Sequence, residues 1–312
     1  MAARQLPLLL APEGVRQEAA NGWTWSVSAH HEFRTCQRRY FFSRIAANHR
    51  SHTALRRAAY ERKRLQSVPA WRGSLLHQVL GQHAIAIARD ERGALDRAQE
   101  VVRQRAMAQF EFSREGQYRT QVKARAGANY AALQAHEDNQ ALDGEPKATV
   151  EVVTQSIANL VRLEELKRYL RFGDVRIEDM LRVKHGPVAI VGRADAIAVG
   201  AQVVIVDWKL SPTGSINARR QLETYGWVLA HRERLAILLV EANLARGETE
   251  EWLLTDRRRE AAGDFVLQSI EEIQALFGNH RFDEEMLVDL DYAKSQGSCA
   301  LCPYRELCGK TR

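Results

Sequence analysis

A short apolar run that ends directly in charged residues limits what this chain can fold into more than any other stretch. Residues 203–206 read VVIV, and Asp207-Trp208-Lys209 follows with no residue between. Such a β-branched run predicts a strand buried on both faces. Because side chains alternate along a strand, Asp207 and Lys209 should leave it on one face and Trp208 on the other. We therefore expect a carboxylate and an ammonium side by side at the end of a buried strand.

The preceding residues predict an antiparallel partner for this strand. Residues 189–199 read AIVGRADAIAV, and the small and polar residues 200–202 form a turn signal between the two runs. Pairing the two strands through this turn would bring Asp195 next to Asp207.

Two carboxylates and a lysine at one end of a sheet indicate a site for a divalent cation. Mg²⁺ and similar ions prefer oxygen ligands, and a nearby lysine can orient an attacking water. The alternative for an isolated Asp-x-Lys is an exposed ion pair of little consequence. The flanking sequence favours the site, because a loop at 210–214 leads into a helix at 215–230. Gln221 and Tyr225 lie four residues apart on one face of that helix.

The bulk composition fits a globular protein with a sizeable core. Of its 312 residues, 45% are hydrophobic and 27% are charged, which excludes a disordered chain. The net charge of +6, with arginine much commoner than lysine, favours phosphate binding. No segment approaches the ~18 apolar residues of a membrane span, and the apolar run near the N-terminus is short for a signal sequence. We therefore expect a cytoplasmic protein with no membrane association.

Residues before the sheet predict mainly helices. A leader at 1–21 is expected to precede a helix over residues 26–42, with Ser28 as its N-cap. A second helix begins near Trp71 and carries His77, and residues 84–170 predict further helices broken near 92–93, 114–116 and 143–146. This region should cover the sheet, and a basic wall for a substrate strand is one role for it.

The remaining strands complete an α/β core with a mixed sheet. Residues 175–184 predict its first strand, in which Glu178 and Asp179 are expected at exposed positions, although either acid would be chemically suited to the site. Residues 235–240 and 250–254 predict two more strands, and residues 264–279 predict an amphipathic helix.

Four cysteines form the other chemical signal. Cys299, Cys302 and Cys308 make a C-x₂-C-x₅-C cluster, and Cys36 is the one further cysteine in the sequence. Four thiolates suit a [4Fe–4S] cluster or a Cys₄ zinc site, and spacing alone does not separate the two. Inert buried thiols are a weaker alternative, because close C-x₂-C pairs are seldom incidental.

Three motifs that follow one another along the chain resemble those of the PD-(D/E)XK nuclease superfamily, in its RecB-like exonuclease branch. Residues 192–195 (GRAD) are similar to its G-x-x-D, residues 207–209 (DWK) to its (D/E)-x-K, and residues 221–225 (QLETY) to its Q-x-x-x-Y. Residues 73–77 (GSLLH) resemble its G-x-x-x-H. The resemblance implies a restriction-endonuclease-like core, with a central mixed sheet flanked by helices. It divides the chain into a leader at 1–21, a helical region at 22–171, a nuclease core at 172–280 and a cysteine segment at 281–312.

The resemblance also implies a role for each site residue. Lys209 would assist the nucleophilic water, and Gln221 and Tyr225 would support the site or contact DNA. The implied ligands of Mg²⁺ or Mn²⁺ are Asp195, Asp207, the main-chain carbonyl of Trp208 and, directly or through its waters, His77.

The cysteine pattern is similar to the iron–sulfur clasp of AddB-type subunits and CRISPR-associated exonucleases. It implies that Cys36, Cys299, Cys302 and Cys308 hold a [4Fe–4S] cluster joining the chain ends, with Zn²⁺ as the alternative. The implied activity is a metal-dependent DNA exonuclease on single-stranded ends, in DNA repair, recombination or antiviral defence. The alternative is a non-catalytic DNA-binding or scaffold subunit of a helicase–nuclease or CRISPR-type complex. Gly309-Lys310-Thr311 lacks the upstream glycine of a P-loop, so a helicase or CRISPR-adaptation protein would be a separate partner.

Overall fold

A mixed β-sheet forms the centre of the computed structural model, which describes residues 23–171, 173–210, 216–278 and 280–309. The expected leader, most of the loop after Lys209, the expected helix start at Ser215, and Lys310-Thr311 lie outside these ranges. Within them the sheet has six strands: β1 (Thr24–Trp25), β2 (Asp174–His185), β3 (Val188–Val199), β4 (Val203–Lys209), β5 (Ile237–Asn243) and β6 (Glu248–Leu253).

The strand order is β1-β3-β4-β5-β6, and β2 pairs with β3 outside this path. β2 and β4 both run antiparallel to β3, β6 runs antiparallel to β5, and the β4–β5 and β1–β3 pairs are parallel. The expected mixed sheet is therefore confirmed. The short strand β1, which the sequence did not predict, extends it. β4 has neighbours on both sides and is buried from Val203 to Trp208, which is the reason for its continuous apolar run.

Helices cover both faces of the sheet. They are α1 (Val27–Thr35), α2 (Gln37–Tyr40), α3 (Ala54–Lys63), α4 (Val68–Ala88), α5 (Ala94–Arg114), α6 (Lys123–Ala126), α7 (Gln134–Glu137), α8 (Glu145–Arg162), α9 (Glu164–Arg171), α10 (Ile216–Ala230), α11 (Asp256–Phe277), α12 (Gln296–Ala300) and α13 (Arg305–Cys308). No helix in the described part of the chain combines the length and apolar character needed to cross a bilayer.

Two hydrophobic cores lie on opposite faces of β4. Val203 and Ile205 pack into a core with residues of α1, α10 and α11. Val204, Val206 and Trp208 pack into a second core with residues of α4, α5 and α8. The predicted alternation along this strand is therefore confirmed, and the sheet separates the two helical layers.

The N-terminal helix differs from its prediction. It ends at Thr35 because Cys36 is extended, with φ −165° and ψ 115°, and a new helix begins at Gln37. Its N-cap is Ser26, whose hydroxyl accepts from the Ala29 N–H at 3.1 Å, so the assignment of Ser28 was wrong. The Cys36 sulfur accepts from the N–H of Arg39 at 3.4 Å and thereby caps α2. The Cys36 side chain, rather than the carbonyl of a continued helix, accepts the hydrogen bond from this turn's main-chain N–H.

The boundary of α11 also differs from its prediction. The helix begins at Asp256, capped by the Thr255 hydroxyl, eight residues before the predicted start at 264. Residues 256–263 are mostly charged or small and carry no apolar periodicity. The cap, rather than a hydrophobic stripe, marks where this helix starts.

Candidate active site

The β3–β4 hairpin places Asp195 beside Asp207. Ala196 pairs with Val206 in the antiparallel register, so the two aspartates follow at the next opposed position. The N–H of Trp208 donates to Asp195 Oδ2 at 2.8 Å. Asp195 is 4% exposed and Asp207 is 1% exposed. Two carboxylates therefore share a buried position at the end of the central strand.

Asp207 belongs to a network of four side chains. Lys209 Nζ lies 2.6 Å from Asp207 Oδ2 and donates to Gln221 Oε1 at 3.1 Å. Gln221 Nε2 in turn donates to Asp207 Oδ1 at 3.0 Å and to the Tyr225 hydroxyl at 2.7 Å. The four-residue spacing on α10 puts Gln221 and Tyr225 on the helix face that meets β4. The structure thus brings together all five residues that the sequence placed at the hairpin and the following helix.

His77 reaches the same position from the opposite helical layer. The helix α4 starts at the N-cap Ser67 with a proline in its first turn, and it buries Leu76 and Leu80 against the sheet. His77 Nδ1 lies 3.0 Å from Asp195 Oδ1. The helix predicted from Trp71 therefore begins three residues earlier, and it carries His77 to the aspartates.

Glu178 also belongs to this cluster, and the prediction of an exposed strand position for it was wrong. The register pairs Ile177 with Ala196 and Asp179 with Ala194, which sets Glu178 opposite Asp195. Its Oε1 lies 3.7 Å from His77 Nδ1. Neighbouring Asp179 instead forms an ion pair with Arg176 at 3.0 Å.

Burial and mutual interaction shift the acidities of these groups. Burial raises the pKa of Asp207, and Asp195 adds to the rise against the opposing charge of Lys209. Burial lowers the pKa of His77, but the adjacent carboxylates of Asp195 and Glu178 outweigh this and raise the pKa to about 10. The nearby imidazole of His77, with the charge of Arg193, holds the pKa of Glu178 below its usual range. The excess of buried carboxylates therefore attracts positive charge.

The donor set fits a divalent cation. Ligand atoms of His77, Glu178 and Asp195 all lie within 4.8 Å of one another. Asp207 Oδ2 and Glu178 Oε1 are buried, and neither has a hydrogen-bond partner among the described residues. Lys209 Nζ lies close to Asp207 Oδ2, but the contact falls outside hydrogen-bond geometry. Carboxylate oxygens with one imidazole are ligands that Mg²⁺ and Mn²⁺ accept. Trp208 contacts this cluster through its N–H.

A large cavity connects these residues to the helical layer. Its volume is about 830 Å³, and it is lined on the sheet side by the acids and Lys209. Arg105, Lys123 and Arg193 line it as well, together with Gln78 and Gln82. The candidate site therefore opens into a space that carries both the acids and a set of cations.

The four cysteines line one much smaller cavity, of about 20 Å³. None forms a disulfide, and burial raises the pKa of Cys302. Residues from both ends of the described chain meet here: the stacked rings of Phe42 and Tyr304 have centroids 5.6 Å apart. Arg38 donates to the main-chain oxygens of Leu287, Leu290 and Cys308. The thiols are thus gathered although 262 residues lie between Cys36 and Cys299 in the sequence.

Comparison with known proteins adds one strong match. A family model described as the PD-(D/E)XK nuclease superfamily matches residues 24–309. A solved structure titled "Crystal structure of SSO0001" is similar over 53% of this chain and 74% of its own, with 16% identity and a TM-score of 0.29. No curated protein matches the chain.

Proposed function

The chain belongs to the PD-(D/E)XK nuclease superfamily, whose members are metal-dependent nucleases that hydrolyse phosphodiesters, and from this we propose that it is a DNA exonuclease acting on single-stranded ends. The observation that carries the proposal is the meeting of Asp195, Asp207 and Lys209 at the end of the central strand, inside a cavity with cationic walls.

The protein's own groups have distinct roles in this proposal. Asp195, Asp207, the main-chain carbonyl of Trp208 and His77 hold Mg²⁺ or Mn²⁺. When bound, the cation supplies Lewis-acid activation of a water and of the phosphate. Lys209 Nζ, held by its ion pair with Asp207 and its hydrogen bond to Gln221, keeps N–H groups with which to orient that water. Gln221 and Tyr225 fix the position of Lys209 and Asp207 through their hydrogen bonds.

Nucleic acid as the substrate is supported by the charge of the cavity. Arg105, Lys123 and Arg193 line it within the same space as the acids, and cationic side chains neutralise phosphates along a strand. The cavity lies between α4 and the sheet, and the preference for a single strand over a duplex follows from the resemblance to RecB-like exonucleases. These features support the substrate class, and the preference for ends follows from the resemblance to RecB-like exonucleases.

We assign the four cysteines to a [4Fe–4S] cluster, with Zn²⁺ as the alternative. The fit rests on four unbridged thiols around one cavity. Arg39 also lines the cavity, and its positive charge suits an anionic cluster. The main-chain N–H of Arg39 donates a hydrogen bond to the Cys36 sulfur. Visible absorption and iron content of anaerobically purified protein test this assignment: a colourless protein with one zinc per chain contradicts it.

The proposed setting is DNA repair, recombination or antiviral defence in the cytoplasm. Strand separation is assigned to a separate helicase, because the chain has no P-loop sequence. A CRISPR-adaptation protein is the alternative partner.

The proposal is tested with end-labelled DNA and Mn²⁺. We expect the protein to degrade linear single strands and to spare circular single strands of the same sequence. Lys209→Ala should lower the rate by about a hundredfold or more. Lys147→Ala, which removes an exposed lysine of α8, is the matched control and should keep full activity. Equal activity of wild type and Lys209→Ala, or no degradation by either, overturns the proposal.

The competing function is a non-catalytic DNA-binding subunit. Two adjacent buried acids speak against it, because buried carboxylates destabilise a fold that does not use them. Calorimetric titration with Mn²⁺ separates the two, since a scaffold should show no binding that depends on Asp195 and Asp207.

A further inference from the structure

Glu178 has a backbone conformation that is unusual for its position. Its φ is +54°, in the left-handed region that residues with a Cβ rarely adopt. The other described non-glycine residues with positive φ, Asp90, Asn139 and His280, lie in turns, whereas Glu178 lies within a strand. A strained residue inside a sheet persists only when its surroundings hold it there.

The two paired strands change faces at this position. Val175 and Ile177 of β2 pack against the core that contains α4, but Leu181 and Val183 pack against the core on the opposite side. These four residues have the same parity, so a regular strand would keep them on one face. The change occurs between Ile177 and Leu181, and Glu178 is the residue with left-handed φ in that interval.

The partner strand β3 shows the same change. Val188, Ile190 and Ala194 pack on the α10 side, whereas Ala196 and Ala198 pack on the α4 side. The change lies at Asp195, opposite Glu178. The faces of both strands therefore exchange at one paired position. This exchange directs the carboxylates of Glu178 and Asp195 towards His77.

The contacts of Glu178 leave one oxygen for a ligand. Oε2 faces Arg193 Nη1 at 3.4 Å. Oε1 is buried, lies 3.7 Å from His77 Nδ1, and has no hydrogen-bond partner within the described ranges. Ligand atoms around one Mg²⁺ or Mn²⁺ ion, at bond lengths of ~2.1 Å, lie roughly 3 to 4 Å apart. The separations of 3.0 and 3.7 Å from His77 to Asp195 and Glu178 match this spacing.

We propose that Glu178 is a further ligand of the divalent cation, so that the cation is held by β2, β3 and α4 together. This inference rests on the proposed function, since it concerns the same cation. It adds a carboxylate that none of the sequence motifs contains. It also gives the left-handed conformation a purpose, because the strain directs Glu178 into the site instead of onto the outer face of β2.

The experiment is a calorimetric titration of the full chain with Mn²⁺, without DNA. Glu178→Gln keeps the size of the side chain and removes the charge, and we expect the dissociation constant to rise at least tenfold. Asp179→Asn is the matched control, because it removes the adjacent acid that pairs with Arg176; its affinity should equal that of wild type. Asp195→Asn tests the proposed function in the same assay and should also weaken binding.

A second variant separates ligand binding from folding. Glycine adopts positive φ without strain, so Glu178→Gly should raise the melting temperature of the metal-free protein while weakening Mn²⁺ binding. A merely structural carboxylate would give the reverse, with a lower melting temperature and unchanged affinity.

The outcomes are distinguishable. If Asp195→Asn weakens Mn²⁺ binding and Glu178→Gln does not, Glu178 is not a ligand of the cation and the proposed function stands. If wild type binds no Mn²⁺, both fail. If Glu178→Gly lowers the melting temperature, the account of its conformation is wrong.

Discussion

Gly192 lies on β3 directly beneath the ring of Tyr225, and a methyl group there should disturb one side of the candidate site. An ideal Cβ at Gly192 would lie 2.3 Å from Tyr225 Cε1 and 2.7 Å from Cδ1. Carbon atoms pack at about 3.5 Å or more, so the ring must move by roughly 1.2 Å. Tyr225 is 7% exposed and has little room for this. Gly192→Ala should therefore lower the free energy of unfolding by about 1–3 kcal/mol, the usual cost of overpacking.

The same movement should reduce activity. It stretches the 2.7 Å hydrogen bond between Gln221 and the Tyr225 hydroxyl beyond ordinary range, and Gln221 is the residue that positions both Asp207 and Lys209. We expect the rate of DNA hydrolysis to fall about tenfold, as ~1.4 kcal/mol of lost positioning would give.

Urea unfolding and DNA hydrolysis are measured for Gly192→Ala, Tyr225→Ala and the double variant. If the clash is the cause, Gly192→Ala should cost little once the ring is absent, and the coupling between the two changes should be about 1–3 kcal/mol. Gly200→Ala, in the β3–β4 turn where an added Cβ meets nothing within 4 Å, is the matched control. Additive effects, or a Gly192→Ala protein as stable and active as wild type, would refute this reasoning.

Three further predictions concern the N- and C-terminal ends of the fold. Burial lowers the pKa of His30 and of His280 to about 4. Below pH 6.5 the two histidines bind protons in the unfolded chain but not in the native protein. The free energy of unfolding should therefore fall from pH 7.5 to pH 5. The loss is about 2 kcal/mol for His280, and solvent screening makes it smaller for half-buried His30. Urea titrations should show His280→Gln losing less than wild type over that range; identical pH dependence would contradict it. Cys36→Ala should abolish the visible absorption band assigned to the cluster and lower the melting temperature, and retention of the full band would exclude this cysteine as a ligand. Ser26→Ala should cost about 1 kcal/mol of unfolding free energy as a lost N-cap, whereas Ser28→Ala should be near neutral; equal costs would contradict the assignment of the cap.

Several features of the site follow from sequence alone because they depend on local periodicity. The apolar run 203–206 identified β4, and alternation then put Asp207 and Lys209 on one face. The short turn at 200–202 fixed the β3–β4 pairing and hence the approach of Asp195. The four-residue spacing of Gln221 and Tyr225 predicted their common helix face. In each case the relevant partners are close in sequence or joined by a tight turn, so the chain has few alternatives.

Glu178 shows what local periodicity cannot supply. Val175, Ile177, Leu181 and Val183 lie at alternate positions that only Asp179 interrupts, so the pattern assigns Glu178 to the outer face of its strand. In the structure the two faces of the strand exchange at that residue, because the two ends of β2 pack against different cores. Only the register with β3 and the position of α4 determine which face is available there.

The break at Cys36 has a similar origin. Residues 26–42 carry a helical pattern throughout, yet the helix stops so that the thiol lines a cavity with cysteines more than 260 residues away. The sequence by itself determined strands β2 to β6, the hairpin, the helix faces and the chemical types of the site. The tertiary structure decided which distant elements meet, because long-range packing can override a local preference that differs by only about 1 kcal/mol per residue.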